Sequence, residues 1–254
     1  MSTLSEYENK YETIKFRRED GILEMRFHTD DGPCQWTFRP THGDFEQAFL
    51  DVARDRDNEV VIMTGTGDYF LGPTVEFGGD PARRALTASR WDPMQWEGKH
   101  LLMNLLNIEV PVIAAINGPA TRHPEVPLLS DIVLASDDVV IQDSAHFQGG
   151  MVPGDGVQIT FPMLMGTARA RYFLTTGQAV SARQAYEFGL VNELLPRDQL
   201  LPRAWELART IMKQPPLVRR YTRLVLTQPL KEEMQKQLAF GFALEGLARM
   251  KEVA

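Results

Sequence analysis

Two runs of this chain, Val60-Val61-Ile62-Met63 and Val110-Pro111-Val112-Ile113-Ala114-Ala115-Ile116, carry no polar residue. A strand with one wet face alternates apolar and polar side chains, and neither run does. Both faces of each are therefore expected to be covered, as happens when helices flank a parallel sheet. Helical stretches lie around them. Thr41-His42-Gly43-Asp44 can start a helix with Phe45, Ala48, Phe49 and Val52 on one face, and Trp91–Asn107 reads as another, with Pro93 in its first turn. Strands alternating with helices predict an α/β fold built on a parallel sheet. With 254 residues, 43% of them hydrophobic, the chain can bury one sizeable core.

Other segments arrange themselves around this plan. Residues 1–12 are polar and read as a loose arm. Ile14–Arg17 and Ile22–His28 flank Asp20-Gly21, a hairpin signal, with Leu23, Met25 and Phe27 on one face of the second strand. Gln35-Trp36-Thr37-Phe38 is a short strand or loop. Gly65-Thr66-Gly67-Asp68 breaks the first buried run, but it lacks both the lysine of a phosphate loop and the spacing of a dinucleotide fingerprint. Residues 77–90 read as a mobile surface segment; such segments often gate sites, though most are only connectors. Ile132–Ala135 and Val139–Gln142 are further short strands. Beyond Asp155 the chain reads as helix, in Phe161–Met165, Ala168–Thr176, Ala182–Phe188, Leu200–Met212, Pro216–Leu226 and Lys231–Met250. Only Leu190–Leu194 interrupts as extended chain. A core domain over 1–195 and a helical region over 196–254 follow.

Composition narrows the function. A net charge of −7 and a pI of about 5.3 argue against nucleic acid and against anionic membranes. The single cysteine, Cys34, allows no internal disulfide and no cysteine-rich zinc site, and fits a reducing cytoplasm. No apolar run approaches the roughly 18 residues of a membrane span. The N-terminal MSTLSEYENKYETIKF is charged and lacks the apolar middle of a signal peptide. The expectation is a cytoplasmic protein acting on a small molecule.

Chemistry concentrates between Ile113 and Gly156. This stretch reads as buried strand, tight loop, short helix, buried strand and a polar loop ending in Pro153-Gly154-Asp155-Gly156. His123, Glu125, His146 and Asp155 lie in or beside its loops, where catalytic groups are commonly held by a rigid scaffold. Glu125 also suits the positive N-terminus of a short helix over Val126–Ser130. In the last helix Met234, Leu238 and Phe242 make one apolar stripe, and Phe240, Leu244 and Leu247 make another. At roughly 100° per residue, Glu245 falls on the first stripe. A carboxylate there is costly without a partner.

Three segments resemble the crotonase superfamily: Pro111–Ser136; Gly150–Gly156 with Met165-Gly166 and Ala168-Arg169-Ala170; and Thr175–Gln178 with Ser181-Ala182, Ala185 and Gly189–Asn192. The resemblance implies the crotonase fold, a spiral of ββα units followed by a C-terminal helical trimerisation region, with trimers often paired into hexamers. The superfamily usually works on acyl-CoA thioesters through two backbone amides. This sequence departs from that pattern. Phe70-Leu71-Gly72 keeps only the phenylalanine of the first amide motif, and Thr121-Arg122-His123 replaces the glycine run of the second. Glu125 stands at one hydratase glutamate position, and His146 replaces the other.

These departures resemble the branch of 6-oxocamphor hydrolase and related β-diketone hydrolases. That branch cleaves a carbon–carbon bond by a retro-Claisen route and needs neither cofactor nor metal. Carried over residue by residue, the resemblance implies functional roles for Trp36, His123, His146, Asp155 and Glu245. His42 is a weaker match, because its spacing from Trp36-Thr37 is one residue longer. His146 would take a proton from water, with Asp155 on its other imidazole nitrogen. His123 and the Trp36 indole N–H would hold the developing negative charge, and Glu245 would orient a histidine or the water. The substrate implied is a small, cyclic 1,3-diketone. The rivals are a CoA-dependent hydratase or isomerase using Glu125, and a non-catalytic crotonase homologue.

Overall fold

A computed structural model describes residues 1–72 and 86–250. The two apolar runs become β3 (Val60–Gly65) and β4 (Val112–Ile116), adjacent and parallel in the middle of a six-stranded sheet. The sheet order is β1-β2-β3-β4-β5-β8, where β1 is Ile14–Glu19, β2 Ile22–Phe27, β5 Ile132–Ser136 and β8 Glu193–Leu195. Every residue of β3 and β4 is buried, as unbroken apolarity requires. Only β1 runs antiparallel. It pairs with β2 through Asp20-Gly21, both with positive φ (49° and 82°), the geometry that continues the strands' twist through a tight hairpin.

A second row of backbone contacts runs beside the main sheet. Leu71 bridges Ala120, and Ala120 bridges Ile141. Ile141 belongs to β6 (Val140–Ile141), which pairs with β7 (Val180–Ser181). Leu71, Ala120 and Ile141 follow β3, β4 and β5 in turn. Each turn of the chain thus lays down a long strand and a short extended piece, and most add a helix. This is the spiral of ββα units of the crotonase fold. Its loops emerge along one row, and the candidate site lies there.

Helices close both faces. On one side α2 (Gly43–Arg54) and α3 (Ala88–Leu106) cover Leu23, Met25, Val61 and Met63, with Phe45, Ala48, Phe49 and Val52 buried on α2. On the other, α8 (Arg197–Ile211) sets Leu200, Ala204, Trp205 and Ala208 against Ile22, Val60, Ile62 and Ile113. The region after residue 195 therefore shares a core with the region before it.

Three local readings change. Residues 1–12 are docked rather than loose. Leu4–Tyr7 form helix α1, Tyr7 is fully buried, and its hydroxyl donates to Asp55 at 2.9 Å while Tyr11 donates to Asp51. Two aromatic anchors outweigh a polar composition, because each buries a large ring and satisfies its hydroxyl. Helix α3 begins at Ala88, so Pro93 lies past its first turn. The separate helices expected on either side of residue 229 are one, α9 (Pro216–Arg249), with Pro229 inside it. The carbonyl left without a donor there belongs to Val225, which is 72% exposed, so water can satisfy it. The proposed gating segment falls largely outside the described residues, which resume at 86 and enter α3 at Ala88. Among the described residues no helix is long and apolar enough to cross a membrane.

Helix α9 buries Met234, Leu238, Phe242 and Glu245, while Phe240, Leu244 and Leu247 are exposed. Its position depends on two glycines in contact. A Cβ on Gly154 would lie 2.3 Å from the Gly241 carbonyl oxygen, and a Cβ on Gly241 would lie 2.2 Å from the Gly154 oxygen. Only residues without a side chain allow this approach, and it sets Glu245, one turn after Gly241, against the Pro153–Gly156 loop. Gly241→Ala must push α9 away. It is expected to cost about 1–3 kcal/mol of stability, read by urea denaturation, and to lower activity through the displaced Glu245. Unchanged stability and turnover would show the contact to be dispensable.

Candidate active site

Three loops on the same row supply the site. The first follows β4 and carries Thr121-Arg122-His123 into α4 (Glu125–Leu128). Its backbone is turned so that His123 has φ +44°, a conformation rare for a side-chain-bearing residue and one that clusters at functional sites. The second follows β6 and carries Asp143 and His146. The third is Pro153–Gly156, which leads into α5 (Val157–Met165) and carries Asp155.

Together they form a chain of alternating carboxylates and imidazoles. Asp143 Oδ1 lies 2.7 Å from His146 Nδ1, and His146 Nε2 lies 3.1 Å from Asp155 Oδ2. The same Asp155 oxygen lies 3.3 Å from His123 Nδ1, which is 2.7 Å from Glu125 Oε1. Three acids thus hold two imidazoles, almost wholly out of water. Burial favours neutral forms throughout, yet proximity wins for most members. Burial disfavours the His146 imidazolium, but Asp155 and Asp143 raise its pKa well above the ordinary histidine value. His123 is likewise disfavoured by burial and raised overall by Glu125 and Asp155. Asp155 is held far below the usual carboxylate range by the two imidazoles despite its burial. Glu125 moves the other way, raised first by burial and opposed by His123.

This arrangement bears on the role expected of His146. Asp155 does sit on one of its nitrogens, but Asp143 holds the other, and the ring is favoured as the cation. With both nitrogens taken, His146 is not placed to receive a proton from water. Glu245 has what His146 lacks. It is 4% exposed, its Oε2 is buried without a hydrogen-bond partner among the described residues, and its pKa is raised to about 7, first by burial and then by Asp155.

Trp36 packs its ring on His123, with centroids 4.2 Å apart at 39°. His42, at the start of α2, is buried; its ring centre lies 6.0 Å from that of His123 and 5.9 Å from that of Trp36. A narrow crevice, too tight to admit a water molecule, is lined by His42, His123 and Asp155 together with Leu101, Leu102 and Phe242. The structure therefore brings Trp36, His42, His123, His146 and Asp155 into one network, with Glu245 close enough to feel the Asp155 charge. The nitrogen His123 has left for a ligand is Nε2, since its Nδ1 faces the two acids. Two amides of the region expected for a thioester oxyanion hole are already used: Gly72 N–H donates to the Cys34 carbonyl at 3.1 Å, and Thr121 N–H to the Leu71 carbonyl at 2.9 Å.

Sequence reading missed two members. Glu97 on α3 sits 3.3 Å from His42 Nδ1 and also pairs with Arg39; the His42 hydrogen bond keeps its carboxyl below the usual range, while burial pushes His42 down. The signal was present, since Glu97 falls in helical register with Leu101 and Leu105, an acid on an apolar stripe. Asp143 gave no periodic signal, because its loop has no regular spacing to read.

The sequence pattern of the enoyl-CoA hydratase/isomerase family matches residues 18–246, and the chain belongs to that family. A β-diketone hydrolase from the cyanobacterium Anabaena sp. PCC 7120, solved bound to (S)-3-oxocyclohexyl acetic acid, is 48% identical, superposes with a TM-score of 0.90, and is matched over 96% of each chain. An enoyl-CoA hydratase/isomerase from Mycobacterium paratuberculosis is 23% identical with a TM-score of 0.85 over 96% of each chain, a likeness of fold. Enoyl-CoA delta isomerase 2 of Rattus norvegicus is 28% identical over 222 residues, 85% of this chain, and the match spans only 54% of that longer relative. Carnitinyl-CoA dehydratase of Escherichia coli (strain K12) is 27% identical over 211 residues, 81% of this chain and 77% of that protein.

Proposed function

We propose that this member of the enoyl-CoA hydratase/isomerase family hydrolyses a carbon–carbon bond in a cyclic 1,3-diketone by a retro-Claisen route, without coenzyme A. One observation carries the reading. Where a thioester enzyme offers backbone amides, this chain offers His123, backed by a buried chain of carboxylates and imidazoles. The 48% identity to a β-diketone hydrolase supports it.

The chemistry then divides among named groups. His123 Nε2 donates to the carbonyl that becomes the enolate oxygen. Glu245, an acceptor near neutrality, takes a proton from water as the water oxygen bonds to the other carbonyl carbon. The tetrahedral adduct collapses and breaks the bond to the central carbon, whose electron pair becomes an enolate held by His123. That carbon takes up the proton that Glu245 removed from water, which restores the carboxylate, and the opened ring is a keto acid. Asp155 fixes both imidazoles, Asp143 fixes His146, and Trp36 fixes the plane of His123. Leu101, Leu102 and Phe242 suit an apolar ring. A cytoplasmic homotrimer, paired into hexamers and binding neither nucleic acid nor membrane, fits the acidic charge and the exposed Phe240, Leu244 and Leu247.

Ultraviolet absorbance of a panel of cyclic 1,3-diketones tests the reading, because cleavage removes the enol chromophore. Wild type is expected to bleach at least one member, and His123→Gln to lower kcat about 10²–10³-fold, as for loss of one donor to a developing oxyanion. Turnover of an acyl-CoA with no bleaching would overturn the proposal and restore Glu125 to a catalytic role. Silence toward both substrate classes would favour a non-catalytic homologue.

A further inference from the structure

We propose that His123, Glu125 and Asp155 also form a binding site for a divalent transition-metal ion of the zinc type, and that the metal excludes turnover. Each residue offers one ligand atom, and the three atoms lie within 4.8 Å of one another. Zinc bonds nitrogen at about 2.0–2.1 Å and carboxylate oxygen at about 2.0–2.2 Å, so neighbouring ligands of a tetrahedral ion stand about 3.3–3.4 Å apart. His123 Nδ1 and Asp155 Oδ2 are already 3.3 Å apart, and His123 Nδ1 and Glu125 Oε1 are 2.7 Å apart. Seating an ion needs the second pair to open by roughly 0.6 Å.

A second, independent observation points to a cation. Glu125 Oε2 and Asp155 Oδ1 are buried carboxylate oxygens with no hydrogen-bond partner among the described residues. Each can turn toward an ion as the second arm of its carboxylate. The supporting contacts that a metal site needs are present too. Asp155 is held by His146 Nε2 at 3.1 Å, and His146 in turn by Asp143 at 2.7 Å. His123 and Asp155 also line the crevice beside His42 and Phe242, which is too narrow to admit water as it stands, so entry of the ion requires that crevice to widen. The imidazole ligand selects zinc, cobalt or nickel over magnesium and calcium.

The metal takes His123 Nδ1 and an oxygen of Asp155, so Asp155 can no longer fix the two imidazoles as assigned above, while His123 Nε2 still points to the ligand side. Binding itself does not depend on the reaction. The test is therefore made on binding. Metal-free protein is titrated with zinc chloride by calorimetry and with cobalt chloride by visible absorbance. The expected result is one ion per chain, a four-coordinate cobalt spectrum, and affinity reduced at least 100-fold by Glu125→Gln and by Asp155→Asn, with His100→Ala, on the exposed face of α3, unchanged. Zinc X-ray absorption on wild type needs no variant and is expected to give one nitrogen and two carboxylates in the first shell. No saturable binding, equal affinity in the Glu125 and Asp155 variants, or loss in His100→Ala would overturn the site. Diketone turnover by the zinc-loaded protein would overturn the exclusion while leaving the site intact.

Discussion

Asp155→Asn is expected to lower kcat about 10³–10⁴-fold, the scale seen when the acid that orients a catalytic imidazole is neutralised. Asp155 faces both His146 and His123 through one oxygen, at 3.1 and 3.3 Å. An amide in its place presents either an oxygen, which lacks the charge both rings rely on, or an NH₂, which meets two donors. Both histidines are then expected to titrate lower than in wild type, which NMR of the imidazole protons can follow. Stability should change with a definite sign. The folded pKa of Asp155 lies below its unfolded value, so its contribution is present above about pH 4 and is lost as pH falls further. The variant should lack that contribution at neutral pH and show a smaller acid sensitivity. Wild-type kcat in Asp155→Asn would remove the carboxylate–imidazole chain from the mechanism.

Glu245→Gln carries the second large effect, and here activity and stability move in opposite directions. Its pKa is raised to about 7, because burial and the nearby Asp155 both penalise the anion. As the base it must be ionised, so wild-type kcat/KM should climb with pH through an acid limb near 7. The glutamine variant should lose about 10²–10⁴-fold in rate, and that limb with it. A carboxyl whose folded pKa exceeds its unfolded value is destabilising once it ionises. Wild type therefore gives up stability as pH rises from about 4 to about 7, by roughly 3–4 kcal/mol for a shift of this size. Glu245→Gln should be more stable than wild type at pH 8 by that order and no more stable at pH 4, as measured by urea unfolding. Full activity in the variant, or an unmoved acid limb, would assign the base elsewhere.

Much of this was legible in the sequence where a periodic pattern carried it. The unbroken apolarity of Val60–Met63 and Val112–Ile116 predicts strands covered on both faces, and β3 and β4 are wholly buried. Asp20-Gly21 predicts the hairpin turn. The helical stripe through Met234, Leu238 and Phe242 predicts a buried Glu245, and Glu97 carries the same signal on α3. What escaped depends on tertiary contact. Tyr7 and Tyr11 anchor a stretch that composition calls polar, because their partners Asp55 and Asp51 lie at the far end of α2, 48 and 40 residues along. Pro229 looks like a break, yet the helix continues where solvent can satisfy the unpaired carbonyl. Asp143 was invisible, since a loop acid three residues from a histidine has no distinguishing spacing until the loop is folded. The resemblance named the six candidate residues, but only geometry showed that His146 is clamped at both nitrogens and that Glu245 keeps an oxygen without a partner among the described residues.

The central claim is that water is added across a carbon–carbon bond. The most direct test is to run the reaction on a cyclic 1,3-diketone in ¹⁸O-labelled water and to analyse the product by mass spectrometry. The account predicts a ring-opened keto acid with one ¹⁸O in its carboxylate, formed by wild type and not by Asp155→Asn, with controls for exchange of the ketone oxygen. An intact diketone, with water instead added to the double bond of an enoyl-CoA, would contradict it.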